Sequence, residues 1–267
     1  MRNAGKRNIL GVRVAAVDYE GAEDAVFQAA RDRRGLSVSA LAVHGLMTGV
    51  FDEEQKFRLN KFDLLVPDGQ PVRWALNWLH RVALTHRVYG PQLTLRICER
   101  AAAEGLPVYF YGSTSEVLQA LQTKLVTRFR QLRIAGIEPS RFRRLSAAEK
   151  SELAARIEAS GAAITFVGLG CPRQEAFVYE FRNVLDMPLL AVGAAFPFIA
   201  GAMPQAPMWM QNAGLEWLFR LGSEPKRLWQ RYLFLNPTYL FLITLQKLGL
   251  SGFSTEGRPP ERELLFG

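Results

Sequence analysis

Cysteine is scarce in this chain: Cys98 and Cys171 are the only two among 267 residues. Two thiols cannot build a disulfide framework and neither has partners at metal-site spacing, so a reducing cytoplasm is the expected compartment. The first 20 residues carry Arg2, Lys6, Arg7 and Arg13 but no uninterrupted apolar segment and no small-residue cleavage pattern, which argues against a secretory leader. Long hydrophobic runs are also missing. Residues 232–245 are strongly apolar, but the stretch is interrupted by Asn236, Pro237, Thr238 and Thr244 and falls short of the roughly 20 residues that a spanning helix needs. The seven aspartates, at 18, 24, 32, 52, 63, 68 and 186, never form an Asp-x-Asp pair. Metal-independent chemistry without a cofactor is therefore expected, a metal assembled from distant residues being the alternative. No zinc-finger spacing, RNP-like aromatic motif or basic zipper occurs, so nucleic acid is not an expected partner.

What is present is a basic, core-forming chain. Lys plus Arg outnumber Asp plus Glu by 33 to 25, giving +8, a balance suited to phosphate-bearing partners or an anionic membrane surface. Short apolar runs at 36–44, 62–66, 107–111, 132–137, 162–169 and 188–192 read as strands. Amphipathic stretches at 21–33, 53–60, 72–79, 92–103, 115–129, 147–159 and 173–184 read as helices. Such alternation predicts an α/β fold, a mostly parallel sheet with helices on both faces. Residues 9–14 add a short strand or hairpin. Ser113 or Thr114 is placed to cap the helix over 115–129, and Ser146 with Glu149 three residues later matches a capping box.

Beyond about residue 202 the pattern changes. Met203-Pro204-Gln205-Ala206-Pro207 is a breaker, followed by helical segments at 208–221 and 226–248 with no strand between them. Asn236-Pro237 is expected to kink or divide the second. The division that follows is a core over 1–202, a helical appendage over 203–250 and a mobile tail over 251–267. In the appendage, Arg220, Lys226, Arg227, Arg231 and Lys247 interleave with aromatic residues, the composition of a helix lying in a membrane interface. A helical hairpin packed on the core or on another subunit has the same composition, so a homo-oligomer stays open.

Three segments carry chemistry. Asp68 follows the strand at 62–66 directly, in Pro67-Asp68-Gly69-Gln70-Pro71, which places a carboxylate where open α/β sheets bind ligands. It is suited to general-base work or, alternatively, to capping the next helix. A base of this kind needs no strongly shifted pKa where the proton it takes becomes acidic only as a new bond forms at the same atom. Gly168-Leu169-Gly170-Cys171-Pro172 ends a strand and opens a helix, a place where amides and the helix dipole favour phosphate. It lacks the third glycine of a dinucleotide fingerprint, which disfavours a nicotinamide enzyme. Tyr111-Gly112-Ser113-Thr114 repeats the same strand, glycine, helix-start order.

Taken together, 66–75 (Val-Pro-Asp-Gly-Gln-Pro-Val-Arg-Trp-Ala), Arg87-Val88-Tyr89-Gly90 and 167–175 (Val-Gly-Leu-Gly-Cys-Pro-Arg-Gln-Glu) resemble, in order and spacing, the WecG/TagA/CpsF family, glycosyltransferase family 26. Gly193-Ala194-Ala195-Phe196, Pro204-Gln205-Ala206-Pro207, the 214–221 segment and Glu224-Pro225-Lys226-Arg227 extend the resemblance over roughly residues 9–248. The resemblance implies a Rossmann-like core with a membrane-associating appendage. It implies an inverting transferase that moves a hexosyl or N-acetylhexosaminyl group from a UDP-sugar to a polyprenyl-diphosphate-linked saccharide, peripheral on the inner face of the cell membrane. It makes Asp68 the catalytic base and places Arg87 and Gln174 at the donor; the two strand-to-helix turns add Gly112, Gly168 and Gly170, with Glu175 beside Gln174 and His44 at the donor sugar, as further substrate-binding candidates. The chain departs from the family pattern at Ala42-Val43-His44-Gly45, where His44 stands in the place of an asparagine, and at Tyr89-Gly90-Pro91-Gln92, where an acidic residue is absent; both bear on donor identity. Arg220, Arg227 and Arg231, spaced by 7 and 4, would share one helical face if the chain stayed helical, with Glu224-Pro225 expected to interrupt it; closing over the donor they are candidates to stabilise the departing diphosphate, or to bind the membrane alone. The competing readings are a noncatalytic membrane-bound scaffold, which leaves Asp68 unexplained, and a non-transferase nucleotide- or NAD-dependent enzyme, which needs a complete glycine-rich fingerprint and an acidic ribose ligand that the chain does not show.

Overall fold

The computed structural model describes residues 3–267, apart from the side chains of Arg227, Gln230 and Arg231. The chain opens on an antiparallel hairpin, β1 (Asn3–Ile9) and β2 (Val12–Val17), where a single strand or hairpin was expected. Then come α1 (Tyr19–Arg31), β3 (Leu36–Leu41), α2 (Val43–Phe51), α3 (Glu53–Asn60), β4 (Leu64–Pro67), α4 (Gln70–His80) and α5 (Gly90–Glu104). The second half of the core contains β5 (Val108–Gly112), α6 (Ser115–Arg128), β6 (Ile134–Glu138), α7 (Ala147–Ala159), β7 (Ile164–Gly168), α8 (Arg173–Phe181), β8 (Pro188–Ala191) and α9 (Ala195–Ala200). Three helices follow: α10 (Met208–Asn212), α11 (Glu216–Ser223) and α12 (Pro225–Lys247).

Strands β3 to β8 form one six-stranded parallel sheet in the order β4-β3-β8-β7-β5-β6. Its two faces follow from side-chain alternation. Leu65, Tyr109, Tyr111, Val167 and Leu189 point into a core shared with α2, α3, α4, α7, α8 and the hairpin, while Leu64, Val66, Val108, Phe110, Phe166 and Leu190 point into a second core shared with α1, α5, α6 and α9. Because the strands are parallel, the loops after β3, β4, β5, β7 and β8 all open on one edge. Local signals behave as the sequence suggests: Thr114 caps α6, and Ser146 and Glu149 form both halves of a capping box on α7.

Several expectations are corrected. The strand at 36–44 stops at Leu41, so His44 lies in the first turn of α2, a helix hidden in the sequence by Gly45 and Gly49, poor helix formers. The segment 208–221 is two helices, broken at Gly214, whose φ of +72° suits glycine; a Cβ there would stand 2.5 Å from the Trp74 ring. Helix α12 is not divided at Pro237. Proline cannot donate to the Leu233 carbonyl, but the Thr238 hydroxyl donates to the neighbouring Phe234 carbonyl at 2.7 Å, and the buried inner face holds the helix in place. That face ties the appendage to the core: Tyr239 and Ile243, 2% and 3% exposed, belong to the same core as α2, α3 and α4.

The segment 251–267, read from its composition as mobile, is tied along its length. The Asn8 and Asn60 side-chain amides donate to the Phe253 and Thr255 carbonyls, the Arg258 amide donates to the Glu53 carbonyl, and the Leu264 and Leu265 amides donate to the buried carboxylate of Glu180. Its partners lie more than 80 residues away in sequence, so composition gave no sign of them.

Candidate active site

Asp68 is delivered to the sheet edge by β4, and its own amide donates to the Leu41 carbonyl at the end of β3 (3.2 Å). It does not cap the helix that follows it, since Gly69 occupies that position and no side chain caps α4. Its Oδ1 instead accepts the Gly90 amide at the start of α5, at 2.5 Å. Burial pushes the Asp68 carboxyl up to about 6; Arg87, the Gly90 amide and Arg220 pull the other way, and the Glu216 carboxylate adds to the rise. A base that needed no shift for the chemistry is thus shifted towards neutrality by its surroundings.

Arg87 lies beside Asp68 but is bonded to the appendage. One guanidinium nitrogen donates to Glu216 Oε2 at 2.8 Å and another to Gln211 Oε1 at 2.9 Å, and the group stacks 4.1 Å from the Tyr89 ring centroid. Burial works against the Arg87 charge, yet the carboxylates of Asp68 and Glu216 hold its pKa above the ordinary value. The Tyr89 hydroxyl donates to Glu216 Oε1 at 3.2 Å, and the Tyr89 amide donates to the Tyr19 hydroxyl at 2.9 Å. Burial raises the Tyr89 phenol, so it stays a donor.

Above these groups a cleft of about 300 Å³ separates α4 from α11 and α12. Its polar wall is His44, Asp68, Arg87, Glu216 and Arg220; its apolar wall includes Trp74, Trp217, Tyr232, Tyr239 and Leu240. The Arg220 Nε is buried and makes no hydrogen bond among the described residues; its guanidinium lies 5.9 Å from the Phe198 ring centroid and close enough to Asp68 to act on its ionisation. Among the described residues no group of three or more His, Cys, Asp or Glu is gathered closely enough to hold a metal.

Of the residues picked from sequence, Asp68, His44, Arg87 and Arg220 meet in this one cleft. Gly112, Gly168, Gly170, Gln174 and Glu175 share the same sheet edge but do not line it. Gly112 and Gly168 pair in register; a Cβ on Gly112, whose φ is +110°, would come within 2.8 Å of the Gly168 backbone, and one on Gly168 would strike the Phe196 ring, so packing and backbone conformation require glycine at these positions. Gln174 and Glu175 are buried at the start of α8, where Glu175 Oε1 accepts from the Ser39 hydroxyl (3.0 Å) and the Gln174 amide (2.9 Å), and burial pushes its carboxyl up. The side chains of Arg227 and Arg231 lie outside the described residues. Gln211, Tyr89 and Glu216 were missed as site residues. Glu216 stands inside a segment that already carried the family resemblance, and its spacing from Arg87, 129 residues, kept the pairing out of view.

Two carboxylates and two guanidinium groups in an aromatic-walled cleft at the carboxyl edge of a parallel sheet are the arrangement of a Rossmann-like α/β protein with a polar substrate site. The profile of the Glycosyl transferase WecG/TagA/CpsF family matches residues 7–252 of the 267, and the chain belongs to that family. It is a glycosyltransferase of cell-surface polysaccharide synthesis.

Proposed function

We propose that the chain is an inverting, metal-independent transferase that passes a hexosyl or N-acetylhexosaminyl group from a UDP-sugar to a polyprenyl-diphosphate-linked saccharide while resting on the inner face of the cell membrane. The observation that carries this reading is that Asp68 and Arg220 line the same cleft, near enough for the guanidinium to act on the carboxyl. Asp68 takes the acceptor hydroxyl proton as the oxygen bonds to the anomeric carbon; the bond from that carbon to the diphosphate breaks, and UDP leaves with its electron pair. Inversion turns an α-linked donor into a β-linked product. Arg220 stabilises the charge that grows on the leaving diphosphate. The absence of an Asp-x-Asp pair and of a donor cluster among the described residues supports a reaction in which cationic side chains do that work.

The test is a screen of UDP-sugars against a short-chain polyprenyl-diphosphate disaccharide, with and without excess chelator. Transfer of label that survives chelation is expected; no transfer from any UDP-sugar, or activity abolished by chelator and restored by magnesium, sinks the corresponding part. On a water-soluble acceptor without membrane, Arg220→Ala should lose about 100-fold in turnover, the scale of removing one donor to a developing anion. Unchanged turnover in that variant, and in Arg227→Ala and Arg231→Ala, leaves the arginines a membrane role only.

Membrane docking rests on the outer face of α12. No helix among the described residues is long and apolar enough to cross a membrane. Yet Leu233, Phe234, Leu240 and Phe241 are 61–66% exposed on this helix, and Trp74 and Trp78 of α4 stand exposed beside it, with Lys247 bonded to the Trp78 carbonyl. A helix apolar on both faces, one buried and one bare, suits an interface between protein and lipid. Replacing those four side chains by serine should abolish flotation with anionic vesicles and leave the melting temperature nearly unchanged; retained flotation rejects this face as the docking surface.

A further inference from the structure

Two carboxylates compete for the Arg87 guanidinium, and the distant one holds it. Arg87 makes its hydrogen bonds to Glu216 and Gln211 of the appendage, whereas Asp68, near enough to feel its charge, accepts from the Gly90 amide. The holding arrangement is itself built. Both Glu216 oxygens are used, one by Arg87 and one by the Tyr89 hydroxyl, and the Gln211 side-chain amide is fixed by donating to the Ala206 carbonyl at 2.8 Å. The Arg87–Glu216 pair is largely withdrawn from water, with side chains only 10% and 17% exposed, so its geometry is not averaged away by solvent.

We propose that Glu216 is a positioning residue: by keeping Arg87 bonded to the appendage it stops that guanidinium from closing on Asp68, and so leaves the Asp68 carboxylate able to accept a proton. This rests on the reading of Asp68 as the base. The other charged or titratable groups around Asp68 are Arg220 from α11, His44 from α2, Tyr19 from α1, Tyr89 before α5, and Tyr232 and Tyr239 from α12. Burial raises the phenols of Tyr19, Tyr89 and Tyr239, which therefore carry no charge near neutrality. Arg220 is left in place by every variant below.

The sign follows from charge. Without the Glu216 anion, and with Arg87 released to pair with Asp68, both changes favour the ionised carboxyl, so its midpoint falls from about 6 towards the ordinary carboxylate range. In Glu216→Gln the acid limb of kcat/KM should move down by about one pH unit, and plateau kcat should fall about threefold to tenfold, as a weaker base requires. The KM for donor should change less than kcat. The double variant Glu216→Gln with Arg87→Gln should return the midpoint to the wild-type value or above it, because the competing cation is gone. A ¹³C titration of the Asp68 carboxyl, assigned by its loss in Asp68→Asn, follows the same midpoint without relying on turnover. Glu216→Asp, which keeps the charge but is one methylene shorter, gives an intermediate midpoint and serves if the glutamine variant does not fold. A carboxyl midpoint unmoved in the folded single variants overturns the proposal, as does a double variant that stays low, since Glu216 would then act by its own charge. Should Asp68→Asn keep near-normal turnover, the base assignment fails, while the ¹³C midpoints still report whether Glu216 holds Arg87 away.

Discussion

Asp68→Asn should abolish most turnover and yet make the protein more stable. The loss expected is about 100-fold or more in kcat, the scale of general-base catalysis, with donor affinity kept because the amide retains an oxygen for the Gly90 N–H. The gain in stability comes from the same carboxyl. Its folded-state value, about 6, lies above the ordinary 3.8, so the fold disfavours the charged form. Below the lower value both folded and unfolded chains are protonated and the cost vanishes; it grows as pH rises and is complete above the folded value. A shift of this size corresponds to roughly 3 kcal/mol, on the order of several degrees in melting temperature for a chain of this length. The difference in melting temperature between Asp68→Asn and wild type should therefore be largest above pH 6 and shrink towards pH 4. Wild-type kcat/KM should fall off below pH 6 for the same reason. A folded variant with near-normal turnover rejects the base, and a stability difference that is flat from pH 4 to 7.5 rejects the raised carboxyl.

The parts of the fold that could be read from the sequence are those whose causes are local. Every strand of the sheet was visible as a short apolar run, and α3 and α7 fall over the residues expected. Helix α2 was lost because Gly45 and Gly49 weaken the local helical pattern, and the break at Gly214 because one glycine in an amphipathic run reads as tolerable until a Trp74 ring is found against it. In the site, Asp68 was legible from its place after a strand and its motif. What surrounds it was not: Gly90 is 22 residues away and Glu216 comes from a helix in the appendage, and no spacing rule joins them. The altered ionisation of Asp68 is a property of that assembly, so sequence could name the residue but not its state.

Cutting the chain after Gly201 tests where the core ends. If the first 202 residues were an independent core, the fragment would fold and be more soluble than the whole. The packing argues for the opposite result. Tyr239 and Ile243 fill the core beside α2 and α4, and full burial of each contributes about 1.5–3 kcal/mol. The Tyr239 hydroxyl donates to the Pro71 carbonyl at 3.0 Å, and Gln246 accepts from the Leu10 amide (2.9 Å) while donating to the Asn8 carbonyl (3.1 Å), so the cut also strips partners from the first hairpin. Loss of 251–267 leaves the buried Glu180 carboxylate without the Leu264 and Leu265 amides, and an orphaned buried acceptor costs about 1–3 kcal/mol or more. Summed, these losses approach the roughly 5–15 kcal/mol that separates folded from unfolded for most domains. The 1–201 fragment should therefore aggregate, or melt without a cooperative transition, in calorimetry and circular dichroism. The four-serine variant of the α12 outer face should melt like wild type, which separates loss of the buried face from loss of the bare one. A cooperative 1–201 fragment with a near-wild-type melting temperature would show that α12 and the tail are only laid on a finished core, and vesicle binding could then be studied by simple truncation.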